Sequence, residues 1–276
     1  VAPSRRKQVV FVGNCNAFDL ANFFGTMQSL ADEYEFHPWS MHLNPTPTPE
    51  MLEILPVANA IFVQNIAEAE AARDSFVPNG IRCFTFPTYM RRTYWPFDTI
   101  LFGRDDLAAE DAAKDGYVRF PDGLLGKLRT EIPDKWQRFV AYRDLSAPGA
   151  YPKNFVRLNE MEEESYRFFD SAYETKIGDY IINHSKHEQL FHWLGHPGGS
   201  VYGLLMEYCM DKLGIKVALP EFEVRDAWSK MQVPVHPRIG EQLGLEWANF
   251  STKYFYGPLG LATWEDWVRL YINHLG

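Results

Sequence analysis

Three short apolar runs near the start of the chain limit what it can fold into. Val9-Val10-Phe11-Val12, Ala60-Ile61-Phe62-Val63-Gln64 and Ile81 to Phe86 are β-branched and aromatic, the composition of strands buried on both faces. Helical spacing fills the gaps. Ala17, Leu20, Ala21, Phe24 and Met27 recur every three or four residues, Thr48-Pro49 starts a short helix over Met51 to Leu55, and Glu68 to Phe76 is Ala-rich. Strand, helix, strand, helix, strand demands crossover connections, so the pattern predicts a parallel sheet with ligands at the carboxyl ends of its strands. That rim is lined by Asn14 and Cys15, by Gln64 and Asn65, and by the residues from Pro87 onward. Glu35 to Trp39 reads as a short extended piece.

Beyond Pro87 the character changes. Thr88-Tyr89-Met90-Arg91-Arg92-Thr93-Tyr94-Trp95-Pro96 is an aromatic and basic loop, and Gly103-Arg104-Asp105-Asp106 is a second polar break. Helical periodicity then dominates, over Leu124 to Tyr142, Glu160 to Ile182, Val201 to Leu213, Ile239 to Leu245 and Trp264 to Leu275, with a turn at Ala147 to Pro152. The predicted class is α/β, with a short parallel sheet in the N-terminal third and a predominantly α-helical remainder. The expected organisation is a single domain, an N-terminal α/β part of about 1–104 packed on a mostly helical part of about 105–276.

Charge and cysteine usage exclude several classes. Lys and Arg number 27 against 36 Asp and Glu, a net charge of -9, which argues against nucleic acid and anionic membrane surfaces as partners. No apolar run approaches the ~20 residues that span a bilayer. The basic start, VAPSRRK, leads into an apolar run too short for a signal peptide. Three cysteines without short spacing are no disulfide framework and favour a reducing compartment, so the expected location is cytoplasmic.

Cys15 is the residue best placed for chemistry. Gly13-Asn14 breaks the first strand and the helix follows at once, which exposes the thiol where free N–H groups and the helix dipole favour a thiolate or an oxyanion. Cys83 and Cys209 lie in apolar periodic segments and read as core. His184, His187, His192 and His196 cluster within thirteen residues, yet their spacing fits no zinc motif, and no metal is expected. Pro197 forces His196 into an extended conformation ahead of a helix that Ser200 can cap, the presentation of a general base on a Gly-rich turn.

Gly13-Asn14-Cys15 after the first strand, Val63-Gln64 ending a second, and His196-Pro197 leading a late helix together resemble the WcbI family of capsular polysaccharide biosynthesis proteins, with Asn16 and Gly195 as departures from its usual pattern. The resemblance implies an acetyltransferase that binds coenzyme A and acetylates a sugar of the capsule precursor. For that chemistry His196 would deprotonate Cys15 or the acceptor hydroxyl, and the N–H groups of Cys15 and Asn16 with the Gln64 amide would form the oxyanion hole. Arg91 and Arg92 would fork onto the phosphates of coenzyme A, Tyr89, Tyr94 and Trp95 would stack on adenine, and Asn14, Lys186 and Arg104 are further candidate contacts. The same order of features also resembles Ser-Gly-Asn-His esterases with Cys in place of Ser. A non-catalytic polysaccharide-assembly binding protein is the remaining alternative.

Overall fold

Successive residues of a strand point to opposite faces, and both faces of the first strand are buried: Val9, Val10, Phe11 and Val12 are all fully covered. In the structure, a computed structural model that describes residues 6–98, 122–217 and 228–274, this strand, β1 (Lys7–Gly13), lies inside a four-stranded parallel sheet. The strand order is β2-β1-β3-β4, with β2 (Tyr34–Ser40), β3 (Ala60–Gln64) and β4 (Cys83–Phe86). On one face Phe11 stacks on Phe62 at 5.0 Å and on Phe24 of α1 (Cys15–Thr26) at 5.6 Å. On the other, Val10, Val12, Ile61 and Val63 pack with Met51 of α2 (Pro49–Ile54) and with Ala69 and Ala72 of α3 (Ala67–Phe76). The Thr48 hydroxyl accepts the Met51 N–H and caps α2.

Two readings change here. The extended piece at Glu35 to Trp39 is a full strand, in register with β1 from Lys7↔Tyr34 to Gly13↔Ser40. Its Pro38 has no N–H to donate, which an edge strand tolerates and a central strand does not. Cys83, expected in the core, is exposed, because it opens the other edge strand. Cys209 is buried as expected.

After β4 the described chain is mostly helical: α4 (Gly123–Glu131), α5 (Lys135–Leu145), α6 (Pro152–Tyr173), α7 (Ile177–His184), α8 (Gly199–Leu213), α9 (Pro237–Leu243) and α10 (Trp264–His274). Short strands β5 (Phe191–Trp193), β6 (His196–Pro197), β7 (Tyr254–Tyr256) and β8 (Gly260–Ala262) intervene, the last two pairing antiparallel. Two expected helices are each broken once. Pro133 interrupts Leu124 to Tyr142, and Asp134 restarts the helix by accepting the Gln137 N–H at 2.8 Å. The Glu160 to Ile182 run stops at Tyr173 and Glu174 takes a positive φ of 56°. Asp170 then caps the next helix, accepting the Gly178 and Asp179 N–H groups at 2.9 and 2.8 Å.

Two compact units emerge. One contains Val1–Tyr89, Tyr166–Asp179 and Gly195–Ala227, and therefore the sheet and α8; the other contains Met90–Ser165, Tyr180–Leu194 and Trp228–Gly276. In the second, Tyr142 of α5 stacks on Trp264 of α10 at 6.1 Å. No described helix is long and apolar enough to cross a membrane.

Candidate active site

The turn after β1 is fixed by side chains that satisfy its backbone. Asn14 is the N-cap of α1, its Oδ1 accepting the Asn16 N–H at 3.0 Å. The Asn14 N–H donates to Gln64 Oε1 at 2.8 Å, and Gln64 Nε2 donates to Thr88 Oγ1 at 2.9 Å. Gln64, at the end of β3, is fully buried. Asn14, Cys15, Asn16 and Gln64 are thus brought together at the carboxyl edge of the sheet. Two of the expected oxyanion donors are nevertheless already engaged, the Asn16 N–H by its cap and the Gln64 amide by Thr88.

Cys15 is half-buried at the first position of α1. Its sulfur meets an imidazole, and that imidazole belongs to His42. Cys15 Sγ lies 3.7 Å from His42 Nε2, while Ser40 Oγ lies 3.0 Å from His42 Nδ1. Adjacent strands bring the three together: Cys15 follows two residues after the end of β1, and β2 ends at Ser40, two residues before His42. Burial first, and the neighbouring Asp19 carboxylate second, push the thiol up to about 11, against the opposing pull of the Cys15 N–H. Burial lowers the His42 imidazole, partly offset by Asp19. The resting pair is a neutral thiol beside a neutral imidazole, and the thiolate expected from the helix terminus alone is overturned. Desolvation, with the Asp19 charge behind it, outweighs the pull of the Cys15 N–H.

His196 is buried on β6, and α8 starts immediately after Pro197 with Gly198 as N-cap and no side-chain cap, so Ser200 does not serve as one. The extended conformation that Pro197 imposes is present. Among the other histidines of the cluster, His187 pairs with Glu246 at 3.0 Å, His184 stacks on Tyr180 at 4.1 Å, and His192 is buried. Among the described residues no group of three or more His, Cys, Asp or Glu side chains is placed to hold a metal ion.

The aromatic and basic loop is largely interior to the second unit. Arg91 is buried and paired with Glu162 of α6 at 3.2 Å, and its guanidinium lies 4.9 Å from the centre of the Tyr94 ring. Glu162 also accepts the Thr93 N–H at 2.7 Å and the Thr93 hydroxyl. Tyr94 is packed edge-on against Trp95 and Trp247. Arg91 and Tyr94, expected on a phosphate and an adenine, are therefore held against protein partners, because Glu162 compensates a guanidinium that burial would otherwise make costly. Tyr89 and Trp95 are buried too. Arg92 and Lys186 are exposed. Arg104 lies outside the described residues.

Sequence reasoning missed His42, Ser40, Asp19 and Tyr202. Asp19 was open to discovery, one helical turn from Cys15. His42 required β2 to be recognised as the neighbour of β1.

The family model of the polysaccharide biosynthesis enzyme WcbI matches residues 8–218. A solved structure described as native WcbI, a novel polysaccharide biosynthesis enzyme, without a disulfide bond between coenzyme A and one of its cysteines, superposes with a TM-score of 0.68 at 13% identity. The match covers 98% of this chain and 90% of that one. At that identity the likeness is one of fold. No curated protein matches the chain.

Proposed function

The chain belongs to the WcbI family of polysaccharide biosynthesis enzymes, and from that premise we propose that it transfers an acetyl group from acetyl-coenzyme A, through Cys15, to a sugar hydroxyl of a capsular polysaccharide precursor. The observation that carries this reading is the contact of Cys15 Sγ with His42 Nε2 at 3.7 Å. A thiol at about 11 is ionised at neutral pH to roughly one part in ten thousand. A base in contact with the sulfur is therefore needed, and His42 supplies it, in the role that the sequence assigned to His196. The mention of coenzyme A and a cysteine in the related structure supports the choice of acyl donor.

In the first half-reaction the Cys15 proton moves to His42 Nε2 as sulfur attacks the acetyl carbonyl. The bond from carbonyl carbon to the coenzyme A sulfur breaks, and His42 returns the proton to the departing thiolate. In the second, His42 takes the proton of the sugar hydroxyl, whose oxygen displaces Cys15 from the thioester and restores the thiol. Ser40 fixes the imidazole by its contact with Nδ1. The Cys15 N–H and the Asn14 side-chain amide, whose Oδ1 is turned to the Asn16 N–H, are the donors for the oxyanion. Phosphate recognition falls to the exposed Arg92 and Lys186.

The acceptor need not be known to test this. Wild-type protein mixed with acetyl-coenzyme A should release free coenzyme A and carry an acetyl adduct on Cys15, read by a thiol reagent and by mass spectrometry. Cys15→Ala should give neither product, and His42→Ala should slow both by about 10²- to 10⁴-fold. Adduct formation lost in His196→Ala and intact in His42→Ala would return the base to His196.

A further inference from the structure

A buried carboxylate acts on both the thiol and the imidazole. Asp19 stands one helical turn after Cys15 on α1, a spacing that puts both side chains on one face, and only 8% of it is exposed. Tyr202 of α8, fully buried and edge-on to Phe23 at 5.1 Å, donates its hydroxyl to Asp19 Oδ2 at 2.7 Å, with Asn16 Oδ1 also in reach at 2.9 Å. A hydroxyl directed at a carboxylate favours its ionised form.

Resting on the reading of Cys15 and His42 as the reacting pair, we propose that Asp19 is a positioning residue, a buried negative charge held by Tyr202 that retains the transferable proton within the pair. A bare thiolate faces a like charge there, whereas an imidazolium faces an opposite one. Transfer of the proton from sulfur to imidazole creates both ions beside Asp19, so cost and gain offset each other. Loss of the proton to solvent has no such compensation. Once the sulfur is acylated, only the imidazolium remains, and Asp19 holds its proton for the departing thiolate of coenzyme A. Burial of the site and the Asp19 charge act in the same direction on the thiol. The charged group that acts on both members of the pair is Asp19, on the helix that carries Cys15; Tyr202 from α8 reaches the pair through Asp19, and Ser40 contributes a neutral hydroxyl.

The test is the pH dependence of Cys15 alkylation by iodoacetamide in the full chain, followed on the Cys15 peptide by mass spectrometry, which needs neither donor nor acceptor. Asp19→Asn should move the midpoint down by about one pH unit or more, so that alkylation below the midpoint is about tenfold faster. Asp19→Glu should keep the wild-type midpoint. Asp19→Ser removes the charge and leaves an acceptor for Tyr202, and it takes the place of the Asn variant if that one does not fold. A midpoint unmoved by removal of the charge, or moved equally by Glu, overturns the proposal. Absence of an acetyl adduct in the wild type together with the shifted midpoint would sink the acetyl-transfer reading and leave the role of Asp19 standing.

Discussion

Gly13 and Gln64 occupy a space with no room for a further atom: a Cβ on Gly13 would stand 2.3 Å from Gln64 Oε1 and 2.5 Å from Gln64 Cβ. The glycine is there so that the buried amide of β3 can reach the Asn14 N–H and hold the turn that presents Cys15.

Gly13→Ala should therefore displace Gln64 and lower stability by about 1 to 3 kcal/mol, the usual cost of overpacking. Denaturant unfolding measures it. In the background of Gln64→Gly, which removes both the amide and the Cβ that the new methyl would strike, the same substitution should cost much less, a coupling that a double-mutant cycle reads directly. Equal costs in the two backgrounds would mean that the clash is relieved elsewhere.

Arg91 and Arg92, neighbours in sequence, should separate in their effects. Arg91→Ala leaves the buried Glu162 without its guanidinium and should destabilise the chain by about 3 to 5 kcal/mol. Arg92→Ala, at an exposed position, should leave unfolding within about 0.5 kcal/mol of wild type while weakening coenzyme A binding in calorimetry. Unchanged affinity in the Arg92 variant would place the phosphates elsewhere.

Asp122 gives the fold a pH dependence of its own. Burial raises its carboxyl from the ordinary 3.8 to about 6, against the opposing hydrogen bonds from Tyr142 and from the first turn of α4. With its value in the folded chain above that in the unfolded chain, the folded state binds the extra proton. Its contribution is complete below about pH 4 and is lost as pH rises through about 6, a change of about 3 kcal/mol. Asp122→Asn should flatten this part of the stability profile. Unfolding midpoints measured from pH 4 to pH 7 that run parallel in the two proteins would count against it.

Much of the fold is legible in the sequence because it is written in local pattern. Val9 to Val12, Ala60 to Gln64 and the Leu20 to Phe24 stripe carry their periodicity within one or two turns or a single strand, and their elements stand as expected. The misreadings have a common physical origin. Pro38 disguised an edge strand, and Pro133 and Glu174 divided helices that apolar spacing alone ran together. Arg91 looked available because its compensating charge, Glu162, is supplied by a helix far along the chain.

For the site itself, the sequence by itself determined the strand, the Gly13-Asn14 break and the helix start that bring Cys15 to the rim, since a tight turn depends on adjacent residues. Only the tertiary structure decided which imidazole the sulfur meets. His42 lies 27 residues away and arrives through the backbone register of β2 on β1, which hydrogen-bonded peptide groups set. The protonation of the thiol was decided there too, because burial and the Asp19 charge depend on what packs around it.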